Sequence, residues 1–495
     1  MKHILLICLL LTTGNVLAQE TFEEHRAKLT KDFSGFKSTI MDDYKGFRDK
    51  ILKDYCEALK QAWENVETLS STKLPVENHI PPVVFSDKKR KEQEQQPLIE
   101  EIIQPEPPQP QPTPNVPIEP IPEVTGEKLN IAFMGTAMEV RKPKGELPIL
   151  RGCSRDGVAS FWEALSDRAY DGLIEDCLQM RSEHHLCDWA YLLFLRQLSQ
   201  TIYEQNSNEA ALLMAYLYGR SGYKMRLAIT DNGHVRMLYA THHCIFNKNC
   251  WQLDGTLFYA MDYDGDEVLL CNASLPEEKP LSLYVEEPQQ FTVRQSGQRN
   301  LQSERYPEVK ATVIGNLNQM EFFNTYPPSM VNQDACTRWA MYANTPLDEL
   351  SKQTLYPSLK NAIAGCNQLE AAERLLNFVQ TAFVYEYDDK VWGYDRAFFA
   401  EETLFYPYCD CEDRSILFSH LMRELLDVEV VLIYYPGHLA TAVHFTDSVQ
   451  GDFILLDGKK FTICDPTYIG APVGYTMTGM DNRSCKVVLL NSPSV

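Results

Sequence analysis

The stretch CDCEDRSILFSHLMREL, residues 409–425, decides the fold of the C-terminal part of the chain. Asp410 is a suitable N-cap and acidic residues follow in the first turn, so the pattern predicts a helix that begins at Cys411. The apolar residues that support this helix recur at helical spacing, at Ile416, Leu417, Leu421 and Leu425. Backbone N–H groups at a helix start would stabilise a thiolate, but the acidic neighbours oppose it, so a histidine base is still required.

The two cysteines of this stretch are open to several interpretations. A disulfide between Cys409 and Cys411 would close a tight and strained ring. A zinc site needs further ligands, for which Cys464 and His420 are available, although no second paired motif supports them. Cys411 could also be an inert structural thiol, or a nucleophile with Cys409 as its neighbour.

Two downstream segments supply a histidine and an aspartate. In GHLATAVHF, residues 437–445, His438 opens a predicted strand and His444 lies roughly 20 Å further along it, so only one can serve the thiol. His438, beside a glycine at the start of the strand, is the better placed. In DFILLDGKKFTICDPT, residues 452–467, an Asp-Gly turn predicts a hairpin whose second strand ends at Asp465. An aspartate there can accept the imidazole N–H and fix its tautomer.

Helix-start Cys411, strand-start His438 and strand-end Asp465, in this order, resemble the transglutaminase-like superfamily of papain-type cysteine enzymes. The resemblance rests on DCEDRSILFSHLMREL, GHLATAV and CDPTY, and it covers about residues 370–470. It implies Cys411 as nucleophile, His438 as general base and then acid, and Asp465 as orienting carboxylate. The backbone N–H of Cys411 is the natural oxyanion donor. Leu439 stands where the family usually has a tryptophan or another bulky residue.

An upstream segment repeats this pattern. NEAALLMAYLYGRSGYKMRLAITDNGH, which ends at His234, aligns without gaps with EDRSILFSHLMRELLDVEVVLIYYPGH at an offset of 204. LDGTLFYAMD aligns with LDGKKFTICD at an offset of 203, which places Asp262 on Asp465. The shared order of helix, strand, Gly-His and Asp-Gly hairpin indicates an internal duplication. The nucleophile position of the first copy holds Ser207, or Asn208 if the register slips by one, so this copy is predicted to be non-catalytic.

Two other features of the first copy, Cys187 and residues 262–267, have alternative interpretations. Cys187 is a rival nucleophile, but we disfavour it because its helix matches AAERLLNFVQTAFVY, which precedes Cys411 in the later copy. DYDGDE, residues 262–267, resembles part of a calcium loop but lacks the full ligand spacing, so a turn is expected. We therefore expect neither a catalytic thiol nor a bound metal in this copy.

The later copy carries an insertion that is rich in aromatic residues, DDKVWGYDRAFFAEETLFYPY, residues 388–408. Loops beside a catalytic residue often shape specificity, so the insertion is interpreted as a lid or a substrate wall. Trp392 and Tyr408 are the candidate substrate-binding residues. The alternative is a small satellite core.

The N-terminal quarter differs in composition from the rest of the chain. An eleven-residue repeat, with Phe22, Phe33 and Tyr44 at equivalent places, predicts a helical arm that either packs back on its own chain or supports self-association. The following proline-rich stretch is expected to run extended as a semi-rigid spacer. The predicted segments are 1–18 signal peptide, 19–73 helical arm, 74–126 proline-rich linker, 127–290 degenerate transglutaminase-like domain, 291–345 connecting segment and 346–495 catalytic transglutaminase-like domain.

Composition limits the partners and the compartment. The chain has 68 Asp and Glu against 46 Lys and Arg, which argues against nucleic acid as a partner. The apolar run in residues 1–18 ends in small residues, so we expect a cleaved signal and export to the periplasm, cell surface or medium. That run is short for a membrane span, and no other candidate span is found. Fourteen cysteines would permit disulfides in an oxidising compartment.

Taken with the resemblance, these observations predict an α+β fold with two papain/transglutaminase-like domains. The expected function is an exported cysteine enzyme that hydrolyses peptide or amide bonds through a thioester, without cofactor or metal. Hydrolysis is preferred over crosslinking because bacterial members of this superfamily are often hydrolytic. The alternative is a non-catalytic binding or scaffold protein at the surface or in the periplasm.

Overall fold

The computed structural model describes residues 44–61, 63–76, 80–86, 101–104, 110–118 and 127–491. The chain divides into two compact units, Met1–Asp54 and Tyr55–Val495. Of the first unit, the described residues are helical. The expected signal peptide, residues 1–18, lies outside the described residues.

Helices and strands alternate irregularly along the chain, so the predicted α+β class is confirmed. The helices are α1 (44–59), α2 (Arg155–Leu165), α3 (Asp171–Glu183), α4 (Asp188–Ile202), α5 (Asn208–Arg220), α6 (Leu317–Phe323), α7 (Thr337–Asn344), α8 (Glu349–Ile363), α9 (Gln368–Thr381), α10 (Asp388–Val391), α11 (Ala400–Phe405) and α12 (Cys411–Leu426). The strands are β1 (Glu64–Glu67), β2 (Glu101–Ile103), β3 (Lys128–Phe133), β4 (Thr136–Arg141), β5 (Met225–Thr230), β6 (Val235–Thr241), β7 (Cys244–Ile245), β8 (Trp251–Leu253), β9 (Thr256–Ala260), β10 (Glu267–Cys271), β11 (Arg299–Gln302), β12 (Lys310–Val313), β13 (Ser329–Met330), β14 (Val384–Tyr385), β15 (Tyr408–Cys409), β16 (Glu429–Tyr435), β17 (His438–His444), β18 (Phe453–Leu456), β19 (Lys459–Cys464) and β20 (Lys486–Leu489).

Two six-stranded sheets organise the second unit, and they have the same strand order, although the edge strand β1 is antiparallel to its neighbour and the edge strand β2 is parallel to its neighbour. The first runs β1-β10-β5-β6-β9-β8 and the second β2-β20-β16-β17-β19-β18, so equivalent strands follow the same chain order. We call the first sheet with α2–α5 the first lobe, and the second sheet with α8–α12 the second lobe. β6 and β9 pair Leu238 with Ala260, and β17 and β19 pair Ala442 with Ile463. These pairs differ by 204 and 203 positions, the offsets that the two sequence alignments gave.

Helix α12 is the central helix of the second lobe. All its residues from Cys411 to Arg423 are buried, because α12 contacts β16 and β17 on one side and α7, α9 and α11 on others. The helix ends at Asp427, whose φ of 52° is left-handed and stops the hydrogen-bond ladder. Its start is therefore held rigidly at the edge of the sheet where β17 begins.

The segments before the first lobe are less separate from it than the sequence suggests. Helix α1 ends at residue 59, and β1 then joins the edge of the first sheet, so the described part of the predicted arm is not helical throughout. In the proline-rich region, β2 joins the second sheet and the Pro117 carbonyl accepts a hydrogen bond from Arg220. Gly222, with φ of +97°, leaves room for the Thr113 carbonyl, with which a Cβ would clash. Proline carbonyls remain acceptors, which explains how the later part of this region binds the first lobe, whereas Glu101–Ile103, which contains no proline, pairs with the second sheet through ordinary strand hydrogen bonds.

Among the described helices, none combines the length and the apolar composition that a membrane crossing requires.

Candidate active site

The second sheet brings His438 and Asp465 together. His438 begins β17, and Asp465 follows directly after β19, which pairs with β17 through Thr441 and Cys464. The His438 Nε2 and Asp465 Oδ2 atoms are 2.9 Å apart, and both side chains are fully buried. The second carboxylate oxygen of Asp465 accepts hydrogen bonds from the backbone N–H groups of Thr467 and Tyr468. The carboxylate is thus fixed in orientation and fixes the imidazole in turn.

The loop that carries Asp465 is held by a residue that the sequence interpretation missed. Gln380, on α9, donates its side-chain N–H groups to the carbonyls of Asp465, Tyr468 and Ala471 at 2.9 to 3.1 Å. Its Oε1 accepts a hydrogen bond from the Gly470 N–H. The available sequence signal was a pair of amide side chains, Asn377 and Gln380, on the buried and mostly apolar face of a helix.

The other imidazole nitrogen of His438 is available for chemistry. Nδ1 is buried and has no hydrogen-bond partner within the described ranges. The ring lies nearly parallel to that of Tyr435, with centroids 6.2 Å apart, and the Tyr435 hydroxyl donates to Asn482 at 2.6 Å. The imidazole is therefore oriented with Nε2 hydrogen-bonded to Asp465 and with Nδ1 free.

Cys411 lies at the start of α12, beside the beginning of β17. The backbone N–H of Leu439, the residue after His438, lies close enough to the Cys411 thiol to lower its pKa. One turn later, Ser415 Oγ donates to the Leu439 carbonyl at 2.9 Å and ties the helix to the strand. The thiol is thereby placed next to the strand residue that carries the base.

The electrostatics at Cys411 favour the neutral thiol. Burial raises the pKa of Cys411 well above its ordinary value, and the charges of Glu412 and Asp410 raise it further. The Leu439 N–H lowers this pKa but does not reverse the sum, and the thiol contacts Glu412 Oε2 at 3.3 Å. Burial is the largest of these effects, and the charges of the acidic neighbours that the sequence predicted come next.

Carboxylates form a cluster around the start of α12. Two groups have ligand atoms within 4.8 Å of one another, and each could hold a metal ion. These groups are Asp410, Cys411 and Glu412, and Asp388, Asp395 and Glu412. Arg338 contacts Asp395 at 2.9 Å and acts to lower the pKa of Glu412. The cluster is thus buried, rich in oxygen ligands and partly neutralised by a guanidinium.

The two candidate substrate-binding residues of the aromatic insertion have different surroundings. Trp392 packs against Phe398 and Tyr406, and the Arg396 guanidinium lies 4.6 Å from its ring centroid. Tyr408 is exposed on β15. Their roles in substrate binding stay predictions. The phenols of Tyr385 and Tyr387 interact with Cys411, and the sequence signal for them was the aromatic VYEYDD run before the insertion.

The alternative partners of Cys411 are engaged elsewhere. Cys409 and Cys411 are both free thiols, so the Cys409–Cys411 disulfide is absent. His420 pairs with Glu424 at 3.3 Å, and Cys464 donates toward the Thr462 carbonyl. His444 contacts the Lys460 carbonyl at 2.9 Å, at the far end of β17.

The equivalent place in the first lobe lacks these features. Asn208 begins α5, and its Oδ1 accepts a hydrogen bond from the Val235 N–H, which matches the Leu439–Cys411 contact. Asn208, not Ser207, therefore corresponds to Cys411. His234 is exposed, and Asp262 is bound by the Arg196 guanidinium. No catalytic triad is assembled among the described residues at this place.

Chemically, the second lobe offers a thiol, an imidazole with a free nitrogen and a buried carboxylate that orients it. The Cys411 sulfur and His438 Nδ1 are not hydrogen-bonded to each other, and a closer approach of the two would allow proton transfer from sulfur to nitrogen and nucleophilic attack on a carbonyl. In comparisons with family models, curated proteins and solved structures, no match to the chain was found.

Proposed function

We propose that the chain is an exported cysteine-dependent acyl-transfer enzyme of the transglutaminase-like kind, which hydrolyses peptide or amide bonds. The observation that carries the proposal is the buried His438–Asp465 pair, in which His438 keeps a free Nδ1. His438 begins the strand whose next residue, Leu439, lies beside the Cys411 thiol. A buried, unpartnered imidazole nitrogen is costly for stability, so a role in proton transfer gives it a reason. Cys411, His438 and Asp465 are assigned as nucleophile, general base and orienting carboxylate.

In the proposed reaction, the Cys411 thiol gives its proton to His438 Nδ1 as the sulfur attacks the substrate carbonyl. The Asp465 carboxylate stabilises the imidazolium that forms. The C–N bond of the amide then breaks, and the proton passes from His438 to the leaving amine. Water, deprotonated by His438, hydrolyses the thioester and regenerates the thiol. Because the resting thiol is neutral, attack is coupled to proton transfer rather than preceded by it.

We further propose that the two lobes are duplicated transglutaminase-like domains and that the first has lost catalysis. The common strand order and the two offsets support the duplication. Asparagine in place of the cysteine, an exposed histidine and an aspartate bound to arginine support the loss. Its remaining role is to scaffold or to bind.

Amide hydrolysis by purified mature chain tests the proposal. We expect release of amine from a peptide-amide library by the wild type, loss of all release in Cys411→Ala, and retention in the matched variant Cys409→Ala. Cys409 is also buried and free, so it controls for the loss of any thiol at this helix start. Equal activity of Cys411→Ala and the wild type would contradict the proposal.

A binding or scaffold function is the second candidate, and one observation favours it. The first lobe borders a cavity of about 680 Å³ that contains polar side chains, among them His242, His243, Lys279 and Asn332. A protein of this kind would keep its function in Cys411→Ala. The same variant therefore separates the two candidates.

A further inference from the structure

The C-terminal end of α9 lies between the loop that carries Asp465 and the helix that carries Cys411. On one side, the buried Gln380 side chain donates to three carbonyls of the loop, among them that of Asp465 itself. On the other side, Arg414, three residues after Cys411 on α12, donates from Nη1 to the backbone carbonyl of Gln380 at 3.0 Å. Its Nη2 donates to the Phe383 carbonyl at 2.8 Å. Gln380 thus contacts both halves of the proposed catalytic site.

Arg414 holds the start of α12 against the end of α9. Its side chain is buried, and both terminal nitrogens of the guanidinium donate to main-chain carbonyls. The guanidinium also lies over the Tyr385 ring, 5.3 Å from the centroid. A buried cation is costly unless its donors are paired, so these bonds fix Arg414, and with it the first turns of the helix, relative to Gln380.

The Gln380 amide has no freedom to turn. Its Oε1 accepts a hydrogen bond from the Gly470 N–H at 3.1 Å and lies 3.5 Å from Asn377 Nδ2, so both ends of the amide have partners. Asn377 is fixed in turn, because its Oδ1 accepts a hydrogen bond from the Ser303 hydroxyl at 2.6 Å. An amide can serve carbonyls and an N–H at the same time, which neither an ionised carboxylate nor an alkyl side chain can do.

The proposed proton transfer depends on the relative position of this loop and this helix. The Cys411 sulfur belongs to α12, whereas His438 is oriented by Asp465, which it contacts at 2.9 Å. His438 Nδ1 and the sulfur are not hydrogen-bonded to each other, so their approach is governed by the contacts that hold the loop relative to the helix. An error of about 1 Å in such an alignment costs on the order of 10²-fold in rate.

We propose that Gln380 is a positioning residue for the reaction, which keeps the His438–Asp465 pair aligned with the Cys411 thiol. It binds the Asp465 loop through its side chain, and α12 through its carbonyl and Arg414. This inference rests on the proposed function. Because these hydrogen bonds go to the loop and the helix and not to the thiol or the imidazole, the effect of Gln380 on the thiol passes through Asp465.

Alkylation of Cys411 by iodoacetamide, mapped by mass spectrometry in the full chain, tests this role without a known substrate. Gln380→Met keeps the length of the side chain and removes all of its hydrogen bonds. We expect the rate at Cys411 to fall about tenfold, because a misplaced imidazole assists the thiol less. In an Asp465→Asn background, which already lacks a working base, Gln380→Met should change the rate by less than about twofold.

The first lobe offers a matched control. Gln289 is also a buried glutamine whose amide is bound at both ends, since its Oε1 accepts from the Cys187 N–H at 2.8 Å and its Nε2 donates to the Glu287 carbonyl at 3.0 Å. Gln289→Met should lower the thermal unfolding midpoint, as Gln380→Met does. It should leave the alkylation rate at Cys411 unchanged, because Gln289 has no part in the Asp465 loop.

Gln380→Glu is a second variant of the same shape, which remains informative if Gln380→Met does not fold. A protonated carboxyl group donates one hydrogen bond to the loop carbonyls, whereas an ionised one donates none. The rate at Cys411, taken relative to the wild type at the same pH, should therefore rise as pH falls in Gln380→Glu. In Gln380→Met this relative rate should stay constant.

Two outcomes would overturn this inference alone. A rate at Cys411 in folded Gln380→Met or Gln380→Glu that matches the wild type at every pH would show that the glutamine does not position the base. An equal fall with and without Asp465→Asn would show that Gln380 acts on the thiol by another route. If Cys411 in the wild type reacts no faster than Cys409, the proposed function fails and this inference fails with it.

Discussion

At the residue scale, the site is defined by the unequal surroundings of the two His438 nitrogens. Nε2 is bound to Asp465, and Nδ1 is buried without a partner in the described structure. Asp465 has no freedom to turn, because its other oxygen accepts two backbone hydrogen bonds. In the proposed reaction the proton would pass from the thiol to Nδ1, because Nε2 is already bound to Asp465.

Asp465→Asn should therefore impair catalysis without unfolding the loop. Its Oδ1 can still accept from Thr467 and Tyr468, but an amide N–H facing Nε2 would force the proton onto Nδ1, which could then no longer act as a base. By analogy with triad aspartates, we expect amide hydrolysis to fall on the order of 10³-fold or more. Asp447→Asn, at an exposed position, serves as control. A rate for Asp465→Asn close to that of the wild type would contradict the role of this carboxylate.

The sequence alone identified the residues whose roles depend on local position. Cys411 and His438 begin the predicted helix and strand, as expected, and Asp465 follows the expected strand. Gln380 and Tyr385 could not be found in this way, because their contacts join segments that are far apart in sequence. Hydrophobic periodicity reports which face of an element is buried, not which polar group it meets.

At the element scale, the segment from α10 to α11 places a carboxyl group beside the site in surroundings that disfavour its charged form. Asp388 begins α10, and its carboxylate accepts a hydrogen bond from the Arg396 N–H at 2.6 Å. Burial, followed by the charge of Glu412, raises the pKa of Asp388 to about 8, although Arg396 opposes the shift. The carboxyl group is thus protonated in the folded chain at pH values where it is ionised in the unfolded chain.

This shift predicts how stability depends on pH. A raised carboxyl pKa contributes stability that is fully present at low pH and is lost as pH rises from about 4 to about 8. Asp388→Asn keeps an acceptor for the Arg396 N–H but carries no proton equilibrium. We expect its thermal unfolding midpoint to match the wild type near pH 5 and to exceed it at pH 8, by roughly 1–3 kcal/mol in unfolding free energy. The exposed Asp389→Asn should follow the wild type, whereas a gain for Asp388→Asn that is equal at both pH values would refute the linkage.

At the scale of the whole molecule, two sheets with the same strand order differ in the side chains at equivalent places. The gapless sequence alignment favoured Ser207 as the counterpart of Cys411, whereas the contacts select Asn208. The reason is that Asn208 precedes Val235 by 27 positions whereas Cys411 precedes Leu439 by 28, and a gapless alignment cannot show this difference of one residue. The proline-rich region was likewise expected to be a spacer, because composition reports missing N–H donors and shows neither the proline carbonyl that binds the first lobe nor the short strand that joins the second sheet.

A thiol alone should not restore catalysis to the first lobe. In Asn208→Cys the new sulfur would have an exposed His234 and an Asp262 that is bound by Arg196. We expect iodoacetamide to alkylate the introduced thiol at the rate of an ordinary cysteine, and the double variant Cys411→Ala with Asn208→Cys to remain without hydrolysis. Recovery of hydrolysis in the double variant would show that the first lobe retains a working base.

The central claim is that Cys411 is a nucleophile served by His438. It is tested most directly by the ratio of iodoacetamide alkylation rates at Cys411 and Cys409, mapped by mass spectrometry near neutral pH in the wild type and in His438→Ala. Both thiols are buried and burial raises the pKa of both, so Cys409 is a matched reference in the same part of the fold. The account predicts a ratio on the order of 10² in the wild type, which is typical of general base assistance, and a ratio near one in His438→Ala. A ratio near one in the wild type, or one that is unchanged by His438→Ala, would contradict it.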